Sequence, residues 1–148
     1  MPFPEPSIRY CAFQYFRRYD AVPILSPELT LREMGSLSNK DAVVFIHGDI
    51  VLMNTLINPG AGRLKDEMGN IFSVRKESNY WQILNCRPFG LFNDIRKVVE
   101  LGFSQFYVDK QGEGAKYVAL YRKLLVNEIS DRRLRKGHTS GHLYSPVS

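Results

Sequence analysis

The stretch A-V-V-F-I-H-G-D-I-V-L-M-N-T, from Ala42 to Thr55, decides how the rest of the chain reads. Val43, Val44, Phe45 and Ile46 form a continuous apolar run rich in β-branched residues and ending at His47-Gly48. Such a run is the pattern of a strand buried on both faces of a parallel sheet. Ile50 to Met53 is expected to continue or restart it after a break at Gly48. Polar residues stand where the strand ends, and sites in α/β folds gather at the carboxyl ends of strands.

Upstream, Thr30 with Glu33 three residues on makes a capping box, with Leu31, Met34 and Leu37 as an apolar side. This predicts a helix of about two turns ending near Ser38-Asn39. Val22 to Leu25 reads as a short strand, which Pro23 confines to an edge or a strand start. Ile8 to Tyr19 repeats apolar and aromatic residues at helical spacing, and Met1 to Ser7 reads as an extended leader with three prolines.

Downstream, Asn58-Pro59-Gly60-Ala61-Gly62 is a loop. Arg63 to Asn85 reads as two or three antiparallel strands inserted into a β/α alternation. Leu91 to Leu101 is expected to be helical, with Phe92, Ile95, Val98 and Val99 on one face and Gly102 just past its end. Phe103 to Asp109 follows as a strand. A longer helix is expected from Glu113 to Ile129, burying Tyr117, Val118, Tyr121, Leu124, Leu125 and Ile129. The fold class read from this order is α/β: a partial (β/α) barrel made of its later strands, with an inserted antiparallel β-element, in one domain over 1–148. Residues 131–148 form a basic tail.

Composition excludes several classes. At 148 residues, 44% hydrophobic and 24% charged, the chain has the make-up of a globular domain. No apolar run is long enough to span a membrane, and the opening lacks the regions of a secretory signal, so a cytoplasmic location is expected. Cys11 and Cys86 match no metal-ligand spacing and read as reduced thiols. No cofactor and no metal are expected. The net charge of +5 permits a polyanionic partner such as RNA.

Five words occur in order along the chain: L-S-P-E-L-T-L-R-E (Leu25 to Glu33), V-F-I-H-G-D-I-V-L-M (Val44 to Met53), I-L-N-C-R-P (Ile83 to Pro88), G-F-S-Q-F-Y-V-D (Gly102 to Asp109) and T-S-G-H-L-Y (Thr139 to Tyr144). Together they resemble the carboxyl-terminal part of the collagenase-like peptidase family U-32, from about Tyr15 to Tyr144. The resemblance implies the later strands of a barrel and a peptidase label. Some members of that family are similar to iron–sulfur enzymes that hydroxylate RNA bases or a quinone precursor. The cysteines that such a role needs are not here, where Asn54-Thr55-Leu56-Ile57-Asn58 follows the H-G-x-x-x-L-M word.

With strand-end logic, the resemblance marks His47, Asp109 and Glu28 as candidate catalytic residues. Asn85, Arg87 and His142 are candidate substrate-binding residues. Each has a plain alternative: a turn histidine, a helix-terminus carboxylate, a salt bridge, or a turn asparagine. Cys86 reads as an inert thiol rather than a nucleophile. His138 and His142 are four apart but flanked by glycines, so a helical metal pair is not expected. Arg132, Arg133, Arg135 and Lys136 read as solvated charge or as a phosphate grip.

Three functions follow. The chain is a U-32-type peptidase needing self-association or a partner, a non-catalytic subunit of an enzyme that modifies RNA or a small aromatic precursor, or a nucleic-acid-binding module using its basic tail. A partial barrel exposes its inner face and its open strand edges. The expected partners are therefore a second copy or another chain carrying the earlier strands, and no membrane.

Overall fold

The structure is a computed structural model, and it describes residues 21–110, 112–129, 134 and 137–144. The leader, the expected helix over 8–19, Cys11 and the basic residues Arg132, Arg133, Arg135 and Lys136 lie outside the described residues.

The elements are β1 (Ile24–Leu25), α1 (Leu31–Ser36), β2 (Val43–Gly48), β3 (Val51–Thr55), β4 (Arg63–Lys65), β5 (Ile71–Lys76), β6 (Trp81–Leu84), β7 (Phe89–Gly90), α2 (Ile95–Glu100), β8 (Gln105–Asp109) and α3 (Gly114–Leu125). They make a mixed α/β fold with two four-stranded sheets. Both sheets are open, and the described residues include no closed barrel.

In the first sheet β2 is central. β8 runs parallel along its whole length, pairing Val43 with Gln105 through to Gly48 with Asp109. β1 lies parallel to the start of β2, and β7 antiparallel to its end. The three expected parallel strands are therefore present, with β1 cut to two residues. Pro23 has no N–H to give a ladder, and its carbonyl accepts from Val43 N–H at 2.9 Å instead.

Local chemistry explains the helices. Thr30 and Glu33 exchange both hydrogen bonds of the capping box, so α1 starts where the sequence places it. α2 starts at Ile95 rather than Leu91: Leu91 N–H bonds Ile46 O at 3.0 Å, tying that segment to β2, and Leu91 O accepts from Asp94 and Ile95 N–H in a turn that leads into the helix. Gly102, at φ +101°, follows α2 as expected. α3 is shorter than its periodic pattern and is followed by Asn127 in the left-handed region at φ 62°. Val99 and Val118, expected to be buried, are exposed.

Most of the core lies on one face of the first sheet, while the buried Phe89 stacks on Phe45 at 5.4 Å on the other. On the core face Val44 and Ile46 pack with Leu91, Phe92, Ile95, Val98, Phe103, Tyr121 and Leu124. The tail closes over it: Leu143 is buried, and its carbonyl accepts from Leu31 N–H at 2.9 Å. Tyr144 hydroxyl donates to the buried carboxylate of Asp94, to which Lys97 also bonds at 3.2 Å. The opposite face carries Ile24, Val43, Phe45 and Tyr107, and Ile24 and Tyr107 are exposed.

The second sheet, in order β3–β6–β5–β4, is the expected insertion. β3 belongs to it and does not continue β2. Leu64, Phe72, Val74, Trp81 and Ile83 are half-buried in this sheet, and none joins the core. Leu56, Ile57 and Met68 stand in solvent at its turns.

Gly48 ends β2 at φ +154°, where a Cβ would lie 2.3 Å from the Asp109 carbonyl oxygen and 2.8 Å from Phe45 Cζ. Backbone cannot yield as a flexible side chain can. Gly48→Ala is expected to lose roughly 2–4 kcal/mol of stability, read as a lowered urea midpoint with unchanged m.

Candidate functional site

Strict alternation along β2 would put His47 on the face of Phe45, since side chains alternate every residue. The β2–β8 ladder does not keep that register. Phe45 pairs with Tyr107, but His47 rather than Ile46 pairs with Val108. One extra residue on β2 thus sends Ile46 and His47 both toward the core face, as a bulge does. Gly48, paired with Asp109, returns to the other face.

His47 is therefore fully buried between the sheet and α3. Its ring stacks on Tyr117, with centroids 3.8 Å apart and planes inclined 25°. Phe92 and Tyr121 pack at 5.3 and 5.9 Å, and His138 comes from the tail to 5.1 Å. Gly90 makes room for both imidazoles: a Cβ there would sit 3.2 Å from His47 Nδ1 and 3.2 Å from His138 Cδ2.

The Tyr121 hydroxyl organises this cluster. It donates its one proton to Ile46 O at 2.8 Å and accepts from Leu91 N–H at 3.0 Å. Toward His47 Nδ1, at 3.4 Å, it can then act only as an acceptor. Nδ1 therefore carries the imidazole proton, and Nε2 carries the lone pair. Nε2 is buried and meets no hydrogen-bond partner among the described residues. Burial also holds the Tyr121 phenol well above the ordinary tyrosine range.

Charges ring the cluster without entering it. Lys110 and Asp49, just past β8 and β2, pair at 2.9 Å, and Glu113 precedes α3. His47 is lowered from 6.5 to about 4, first by burial and then by His138 and Lys110, with Asp49 and Glu113 opposing. It is neutral at pH 7 and a weak base, ill-matched to proton abstraction at that pH.

The structure does not gather the other candidates around His47. Asp109 is exposed on the opposite face, because the register slip turns His47 away from it. Glu28 is exposed in the β1–α1 loop, two residues before the cap. Asn85 follows β6 and donates its backbone N–H to Ile50 O at 2.8 Å, extending the β3–β6 pairing by one step. Arg87, His142 and the free thiol of Cys86 are all exposed. The expected catalytic set is thus not assembled within the described residues. They also hold no group of three or more His, Cys, Asp or Glu placed for a metal ion, and no helix long and apolar enough to cross a membrane.

Sequence reasoning missed Tyr117, Tyr121 and His138 as neighbours of His47. The two tyrosines read as a helix stripe, and His138 was weighed only against His142. No local signal joins them: His138 stands just before T-S-G-H-L-Y, and its ring neighbours are far off in the chain.

Comparisons of the chain with family models, with curated proteins and with solved structures found no match in any of the three.

Two outcomes follow. Tyr121→Phe strands the His47 Nδ1–H and leaves Leu91 N–H and Ile46 O with only each other, and should cost roughly 1–3 kcal/mol in urea denaturation. His47 has its folded pKa below its unfolded value, so protons bind the unfolded chain first as pH falls. Its contribution is complete above pH 6.5, declines from there to about pH 4, and is lost below. The loss, from this group facing Tyr117, Tyr121, His138, Asp49, Lys110 and Glu113, is roughly 3 kcal/mol. A His47→Phe protein, profiled beside the wild type, should lack that slope.

Proposed function

We propose that this chain is the later-strand portion of a U-32-like (β/α) barrel and acts as a subunit rather than as a self-sufficient peptidase. A second copy or another chain supplies the opposing strands. The observation that carries this reading is the sheet face turned away from the helices. In a barrel that face is the interior, filled by layers of side chains from all strands. Here Ile24, Phe45 and Tyr107 form an apolar row on it, with Ile24 57% and Tyr107 40% exposed. Among the described residues, β1 and β8 have β2 as their one strand partner, which leaves two edges for further strands.

Asp109, at the carboxyl end of β8 on that same face, is then the residue presented to a substrate at the mouth of the completed barrel. His47 lies behind the sheet, so the two do not act as a pair. The subunit reading places activity on RNA or a small aromatic precursor in the complex, not in this chain alone.

The test is the solution mass of the full chain by light scattering, expressed alone and with a longer U-32-type chain. A dimer or a stable hetero-complex is expected, and Tyr107→Glu should dissociate it while leaving the circular dichroism unchanged. A monodisperse monomer in both preparations, or collagen-peptide cleavage by the monomer, would overturn the reading.

A further inference from the structure

His47 carries an unexplained cost. A buried polar atom without a partner forfeits its hydration, roughly 1–3 kcal/mol, and native structures rarely leave one so. Nε2 is in that position among the described residues, although the fold spends a tyrosine hydroxyl on the other ring nitrogen. That arrangement, Nδ1–H held by an oxygen and Nε2 left as a lone pair, is how proteins prepare a histidine to bind a metal.

The second imidazole is at hand. A nitrogen about 2.0–2.1 Å from zinc puts its ring centroid roughly 3.2 Å from the ion, and two such rings at a tetrahedral angle stand roughly 5 Å apart. His47 and His138 are 5.1 Å apart and inclined 45°. Gly90 is what lets them approach, since its missing Cβ would touch both rings.

We propose that His47 and His138 are the protein ligands of a site for a divalent cation that prefers imidazole, zinc first. Nε2 of His47 is one donor and a nitrogen of His138 the other. Water or an external ligand completes the coordination. Such a two-histidine site binds more weakly than a four-ligand structural site and leaves coordination positions for an exchangeable donor. The assignment rests on the geometry behind the sheet and is independent of whether the chain forms part of a barrel.

The experiment uses the full chain at pH 7.5, titrated with Zn²⁺ by calorimetry and with Co²⁺ by visible absorption. One equivalent should bind, with Co²⁺ d–d bands of a four-coordinate nitrogen–oxygen site. X-ray absorption of the zinc form should show imidazole scattering at about 2.0–2.1 Å. His138→Ala removes a half-buried ring from a tail turn and should weaken binding at least tenfold. His47→Phe keeps an aromatic in the stack and should do the same. His142→Ala, at an exposed position, should bind as the wild type does. Absence of stoichiometric binding by the wild type would overturn the assignment. So would binding that survives His138→Ala in a protein shown to be folded, or binding lost in His142→Ala alone.

Discussion

One hydroxyl, that of Tyr121, ties three segments far apart in sequence. It bonds the last turns of β2 through Ile46 and His47, and the start of the β7–α2 turn through Leu91. Leu91 N–H and Ile46 O also bond each other, so the hydroxyl joins an existing pair and adds the one partner of the buried His47 Nδ1. The tie of α3 to the sheet and the tautomer of His47 follow from these bonds together. A phenylalanine would fill the same volume and hold none of them.

The register slip between Phe45 and His47 has an equally wide reach. It divides the polar residues at the ends of β2 and β8 between two environments. Asp109 stays on the exposed face beside the Phe45–Tyr107 row, whereas His47 is turned into the layer between sheet and helices. A carboxylate in solvent and an imidazole in a buried aromatic stack have little chemistry in common. The fold therefore separates an exposed face with an apolar row and a carboxylate from a buried cluster of aromatic rings and imidazoles.

The regular parts of this architecture were legible because their physics is local. The Thr30–Glu33 box, the glycine after α2 and the apolar run of β2 each announce themselves within a few residues. The parallel pairing of β1, β2 and β8 followed from the order of elements. What stayed hidden depended on one residue of register or on distant contacts. No local pattern distinguishes a strand with an extra residue at Ile46 from one without, so His47 and Asp109 both read as strand-end candidates for one site. Likewise His138 has no sequence neighbour that explains it, and its place beside His47 exists only once the tail has folded back onto β7 through the Phe89–Thr139 bridge.

The inserted sheet has a consequence for how the chain finds this structure. Val51 pairs with Leu84, and Asn85 N–H reaches Ile50 O, so the two ends of the insertion meet. Once its own hairpins have formed, the long excursion acts as a closed handle rather than a loose loop. The entropy of bringing β8 back to β2 then reflects only the short path outside the handle. Parallel pairing is normally slow because the connection must be searched as a whole. Here the chain can settle the handle first, from contacts close in sequence, and deliver the last strand to a partner already nearby.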